Sequence, residues 1–151
     1  GKRMQVAEIL KRVYDEKLLG EKGGRGFYIH GPGKRRVPNP DIAAWTRAAR
    51  ASKKISDQII EDRIFLIMVN EAARILEERI AADPADIDTG MIFGAGFPPF
   101  RGGLLRWADS IGLEKIAARL ERLADSRGVR FSPAPLLRQL AADKRGFYPP
   151  S

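Results

Sequence analysis

Between Ser56 and Ile80 the chain places apolar residues on more than one side of a single helical path. Ile59, Ile60, Ile64, Phe65, Leu66, Ile67, Met68, Val69, Ala72, Ala73, Ile75, Leu76 and Ile80 leave no face of that path wholly polar. A helix of this kind is packed from several directions, so it belongs at the centre of a domain. Its longest unbroken apolar run, Ile64 to Val69, is far short of the roughly 20 residues that a membrane span needs. The constraint is therefore a helical domain built around one central helix.

The flanking segments carry helix signals as well. In residues 4–19, Val6, Ile9, Leu10, Val13, Tyr14 and Leu18 recur at spacings of three and four, which predicts a helix that Gly20 ends. Asn39 followed by Pro40 and Asp41 predicts an N-cap and a short helix to about Ser52, burying Ile42, Trp45 and Ala49. Asp83-Pro84 opens another helix in the same way, ending at Gly94 or Gly96. Helices are expected at about 104–110 and 113–126, and a last one from the Ser132-Pro133 cap to about Asp143. Phe97 to Gly103 holds two prolines and two glycines and reads as an ordered loop. No segment shows convincing strand alternation, so the expected class is all-α.

Composition closes off several chemistries. The 151 residues include no cysteine and one histidine, His30. Disulfides, cysteine-ligated zinc, iron–sulfur clusters and a thiol nucleophile are excluded. His30 has no partner at a useful spacing and is expected in solvent. No signal peptide opens the sequence, which points to a soluble, intracellular chain. The net charge of +8 is uneven: residues 1–63 carry 15 basic and 8 acidic side chains, and residues 64–151 carry 12 and 11. A basic half attracts anions, and weak, salt-sensitive, sequence-independent DNA binding is the most expected of it. A free-standing basic helical nucleic-acid-binding protein is the alternative reading, but the cations fall mostly in loops and helix ends rather than along a recognition helix.

Local motifs add little chemistry. Lys22-Gly23-Gly24-Arg25-Gly26 has the residues of a phosphate cradle, but it follows a helix and leads to an aromatic pair. A helix C-cap and turn explains it as well. Asp83, Asp86 and Asp88 are read as carboxylates of a helix start rather than metal ligands. Glu71 lies on the stripe of Ile64, Ile67, Met68 and Ile75 and should need partners, with Arg101 or the amides of Gly102 and Gly103 the expected donors. No catalytic, cofactor-binding or metal-binding residue can be named.

One internal similarity stands out. Leu18 to Tyr28 and Leu136 to Tyr148 each run from a helix through basic residues to Gly-Phe-Tyr. A duplication would make the chain the end of one unit followed by the whole of a second.

Several segments carry a family resemblance: Glu61-Asp62-Arg63-Ile64-Phe65, Asn70-Glu71-Ala72-Ala73, Asp86-Ile87-Asp88, Phe93 to Gly103 and Ala108 to Leu113. They resemble the C-terminal helical domain of 3-hydroxyacyl-CoA dehydrogenases. The Phe97-Pro98-Pro99-Phe100-Arg101-Gly102-Gly103 form is most similar to the second copy of that domain in multifunctional fatty-acid oxidation enzymes. Residues 4–45 look like the tail of the first copy. The resemblance implies two parts, 1–54 from the first copy with its basic loop and 55–151 as the second copy. It implies a cytoplasmic β-oxidation enzyme with enoyl-CoA hydratase and NAD-dependent dehydrogenase modules outside this chain. Its partners would be the Rossmann domain and first helical copy of the same enzyme, acyl-CoA substrate and a thiolase subunit. Asp62 stands where the first copy usually offers a substrate-contacting Asn, so the role expected here is structural. Glu71 and Phe97, Pro98, Pro99, Phe100, Arg101, Gly102 and Gly103 are the structural or interface candidates, and the isolated chain is expected to be catalytically silent.

Overall fold

The structure, a computed structural model, describes residues 6–31, 36–47 and 55–149. It divides into two compact units, Gly1–Lys54 and Ile55–Ser151.

The first unit begins with helix α1 (Glu8–Asp15). The chain leaves that helix at Lys17, in the left-handed conformation with φ 54°, and not at Gly20. A single 3-10 turn (Glu21–Gly23) follows, then strands β1 (Tyr28–His30) and β2 (Arg36–Pro38), then α2 (Pro40–Arg47). The antiparallel pair, with Ile29 opposite Val37, departs from the strand-free expectation. Three residues per strand are too few to display an alternation. The pair is held from outside: buried Asn39 donates its side-chain N–H to the Gly26 carbonyl (2.9 Å) and its backbone N–H to that of Phe27 (3.0 Å). Asn39 also caps α2, accepting from the Asp41 amide (3.0 Å), as its sequence position predicts. The core is small: Val13, Leu18 and Ile42, with Ile9 and Trp45 packed against them. The Arg12 guanidinium lies 3.9 Å from the Trp45 ring centroid. His30 is half-buried rather than in solvent. Ala49, the end of the helix toward Ser52 and part of the basic loop fall outside the described residues.

The second unit opens with α3 (Asp57–Glu61), capped by Ser56, whose hydroxyl accepts from the Ile59 amide. The helix then widens into a π-helical segment (Asp62–Leu66) before α4 (Ile67–Glu77). Together they form the central helix, and Leu66, Val69, Ala72 and Ala73 are buried along it. It is not packed on all sides throughout, because Ile59, Ile60 and Ile64 are exposed, and it ends at Glu77, short of the exposed Ile80. Helix α5 (Pro84–Ala95) has Asp83 as its cap, accepting from Ala85 at 2.8 Å, and Gly96 in the left-handed conformation closes it. A 3-10 turn (Pro99–Arg101) leads to α6 (Leu104–Ile111) and α7 (Leu113–Arg127). A last 3-10 turn (Val129–Phe131) precedes α8 (Pro135–Ala142). That helix starts two residues after the Ser132-Pro133 pair expected to cap it.

The core of this unit joins α4, α6, α7 and α8 through residues such as Leu104, Leu105, Ile116, Leu120, Phe131 and Leu137. Among the described residues no helix is long and apolar enough to cross a membrane.

Candidate functional site

Three helices of the second unit start on residues that cannot cap them: α7 on Gly112, and α6 and α8, whose starts are satisfied from elsewhere. The N-cap of α6 is Gly103 and that of α8 is Ala134, and neither offers a side-chain oxygen to the free amides of the first turn. Both caps are borrowed.

Asp88, on α5 and 3% exposed, supplies the first. Its two carboxylate oxygens accept from the amides of Leu105 (2.6 Å) and Arg106 (3.1 Å). A negative charge at a helix N-terminus is favoured twice, by hydrogen bonds and by the helix dipole. Gly103 makes the approach feasible, since its φ is 117° and a Cβ there would overlap the Asp88 carboxyl. The expectation that Asp88 is one more carboxylate of its own helix start is thus corrected: Asp83 caps α5, and Asp88 faces inward to cap α6.

Glu77 of α4 supplies the second, and Asn70, fully buried on the same helix, holds the turn that leads into α8. For Asn70 the contacts are specific. Its side-chain oxygen accepts from the Ala134 amide (2.7 Å), and its amide nitrogen donates to the Ser132 carbonyl (2.9 Å). Glu77 accepts from the Leu136 amide. Ser132 also receives the Arg74 guanidinium at 2.9 Å. Glu71 forms an ion pair with Arg74 at 3.3 Å, within its own helix. The carboxylate bonded just beyond the Phe97–Gly103 loop, at the start of α6, is Asp88.

The C-terminal Gly-Phe-Tyr closes the same face. Asp109 of α6 accepts from the amides of Phe147 (2.9 Å) and Tyr148 (3.0 Å). A Cβ on Gly146 would meet that carboxylate at 2.6 Å, so only glycine permits the approach. The Tyr148 hydroxyl donates to Asp88 at 2.8 Å. Burial first, then the hydrogen bond to Asp88 and its charge, push the Tyr148 hydroxyl well above the usual tyrosine pKa. The Arg106 guanidinium, 3.6 Å from the ring centroid, pulls the other way. Asp88 thus joins α5, the start of α6 and the end of the chain.

Phe97 is buried and meets Phe65 edge-on, centroids 6.1 Å apart, with Trp107 6.2 Å away. Pro98, Phe100 and Arg101 are exposed, and the Arg101 guanidinium lies 5.6 Å from the Phe100 centroid. With Glu61 and Phe65 they border an open groove of about 210 Å³. Its titratable side chains are Glu61 and Arg101, which do not form an acid–base pair with a nucleophile. Asp62, in the π-helical segment, is held by Arg119 at 3.2 Å and Gln58 at 2.9 Å. Among the described residues no group of three or more acidic or histidine side chains could hold a metal ion. The Lys22–Gly26 segment leaves a helix and enters a strand, the reverse of the strand-to-helix turn that holds a dinucleotide pyrophosphate. That segment does not fit the pyrophosphate of NAD.

Sequence reasoning missed Asn70 and Asp88 as anchors. A usable signal was present: a helix start lacking its own cap, at Gly103 or Ala134, leaves amides that a polar side chain from elsewhere can satisfy.

Comparison with known proteins gives a consistent result. The family model described as 3-hydroxyacyl-CoA dehydrogenase, C-terminal domain, matches residues 60–146. A fatty acid oxidation complex subunit alpha from Idiomarina loihiensis is 41% identical over 149 residues, 98% of this chain and 21% of that protein. The glyoxysomal fatty acid beta-oxidation multifunctional protein MFP-a of Brassica napus is 35% identical over 144 residues, 89% of this chain and 20% of that protein. The chain thus spans about a fifth of the length of the curated relatives it matches. The crystal structure of the dehydrogenase part of multifunctional enzyme 1 from C. elegans matches in fold, with a TM-score of 0.67 at 23% identity. That match covers 90% of this chain and 33% of the other.

Proposed function

The chain belongs to the 3-hydroxyacyl-CoA dehydrogenase C-terminal domain family, and on that premise we propose that it is the helical end of a multifunctional fatty-acid β-oxidation enzyme. In this reading residues 1–54 are the tail of a first helical copy and residues 55–151 a complete second copy. The observation that carries it is the extent of the match: the Idiomarina relative aligns across both compact units, not across the second alone.

The work assigned to the chain is structural. Asp88, Asn70 and Asp109 fix the helices of the second unit, and the Phe97–Gly103 loop with the Glu71 helix offers a shaped surface to the rest of the enzyme. Oxidation of a 3-hydroxyacyl-CoA with NAD belongs to the modules outside this chain. The Rossmann domain and the first helical copy are its partners within the polypeptide. A thiolase subunit is the partner suggested by the relative named as a subunit of a complex. The placement is cytoplasmic, whereas the Brassica relative is named as glyoxysomal.

The test is NADH formation from a 3-hydroxyacyl-CoA by three preparations: the full-length enzyme, the enzyme lacking these 151 residues, and the chain alone. Activity is expected only in the first. NADH formed by the chain alone, or full activity without it, would overturn the proposal.

A further inference from the structure

The hairpin of the first unit carries charge that its own sequence does not balance. From Lys22 to Pro40 the chain holds Lys22, Arg25, Lys34, Arg35 and Arg36 and not one Asp or Glu. Lys22, Arg25 and Arg36 are exposed, and none of the three forms an ion pair among the described residues. In the second unit cations are answered: Arg74 by Glu71, Arg119 by Asp62 and Arg138 by Glu121.

The register shows which apolar residues share a face with these cations. Ile29 lies opposite Val37 in the β1–β2 pair, and Arg25 bridges to Ile29 in antiparallel fashion. Residues directly opposite in antiparallel strands project on the same face. Arg25, Ile29 and Val37 therefore form one row, a cation beside two aliphatic side chains. Ile29 and Val37 are 40% and 49% exposed, and neither belongs to the small core of Val13, Leu18 and Ile42. On the opposite face His30 stands across from Arg36. Cations set beside open aliphatic side chains suit a surface that is anionic outside and apolar within.

We propose that the β1–β2 hairpin docks on an anionic phospholipid surface. Lys22, Arg25 and Arg36 meet lipid phosphates, and the charge of Lys34 and Arg35 adds to the attraction. Ile29 and Val37 enter the boundary between headgroups and acyl chains. The attachment is peripheral and needs no spanning helix. Nucleic acid is the other extended polyanion, and its major groove admits a two-stranded ribbon. The aliphatic row decides between the two: a lipid boundary takes up Ile29 and Val37, whereas a phosphate backbone leaves them in water. The proposal goes beyond the multifunctional reading and does not depend on it.

Vesicle co-sedimentation tests it, on the 151-residue chain and on the full-length enzyme. Both should bind phosphatidylcholine vesicles containing about 30% phosphatidylglycerol, leave them as salt rises, and ignore pure phosphatidylcholine. Each cation near such a surface strengthens binding roughly fivefold, so Arg25→Gln with Arg36→Gln should weaken it about 25-fold. Ile29→Ser with Val37→Ser should weaken it at least about fivefold with the charge unchanged. Arg122→Gln with Arg127→Gln removes equal charge from exposed positions of α7 and should change binding less than about twofold. If a hairpin variant fails to fold, trypsin cleavage of the unsubstituted chain gives the same comparison. Anionic vesicles should slow cleavage after Arg25 and Arg36 and leave Arg122 and Arg127 unprotected. An equal loss from the α7 pair, or equal protection of all four arginines, would reduce the effect to net charge and overturn the inference. So would binding by the chain that the full-length enzyme lacks. Duplex DNA bound more tightly than the vesicles at the same salt, without dependence on Ile29 and Val37, would give the hairpin to nucleic acid instead.

Discussion

Helices α1 and α8 share a length, a terminator and a downstream Gly-Phe-Tyr, yet one is packed on one side and the other on two. In the second unit the segment from α3 to α7 supplies both the apolar wall for Leu137 and the carboxylates for Phe147 and Tyr148. In the first unit Leu10 and Tyr14 are exposed, and the chain after α1 continues into a hairpin held by Asn39. The comparison teaches that a helix with a given pattern acquires its stability from what is packed against it, and only weakly from its own sequence.

The contrast can be strained at several points. The largest effect is expected from Asp88→Ala, which strands the amides of Leu105 and Arg106 and the Tyr148 hydroxyl. Chemical denaturation of the second unit should show a loss of about 3–5 kcal/mol. Leu137→Ala should follow at about 2–5 kcal/mol, while Leu10→Ala on α1 of the same chain should cost less than about 0.5 kcal/mol. Similar losses at the two leucines would break the comparison.

Tyr148→Phe removes one hydrogen bond and should cost about 1 kcal/mol, whereas Tyr28→Phe should be near neutral. The pH dependence has a definite sign. The folded-state pKa of Tyr148 is raised above the unfolded value of about 10. Its contribution is therefore whole below pH about 10 and is lost as pH rises from there toward the folded-state value. Melting temperatures measured from pH 8 to 11 should fall more steeply for the unsubstituted chain than for Tyr148→Phe; parallel curves would remove this claim. Glu71→Gln should have the smallest effect, about 0.5 kcal/mol, because its pair with Arg74 is partly exposed and local.

Much of the helical framework was legible from periodicity and caps. The Asp83 and Asn39 caps and the α6–α7 junction at Gly112 stand where the sequence puts them. What was not legible depends on residues distant in sequence. Asp83, Asp86 and Asp88 look alike in a row, and only the position of Gly103, fifteen residues after the last of them, distinguishes Asp88. Asn70 sits between Val69 and Glu71, and nothing local shows that the turn at Ser132–Ala134 will meet it. The β1–β2 pair was missed because its three-residue strands are too short to show an alternation, and the Asn39–Gly26 bond that holds it has no local signature. Glu71 does have a charged partner, as its place on the stripe requires, but that partner is Arg74, three residues along its own helix, and the expectation looked for a donor in the Phe97–Gly103 loop.

The central proposal is that residues 55–151 form a second helical copy and residues 1–54 the tail of a first. Native-state amide hydrogen exchange on the 151-residue chain tests it most directly. Amides of α8 should exchange only through global opening of the second unit, and those of α1 on the order of a hundredfold faster or more, through local opening. Equal protection of α1 and α8 in the chain alone would contradict the account.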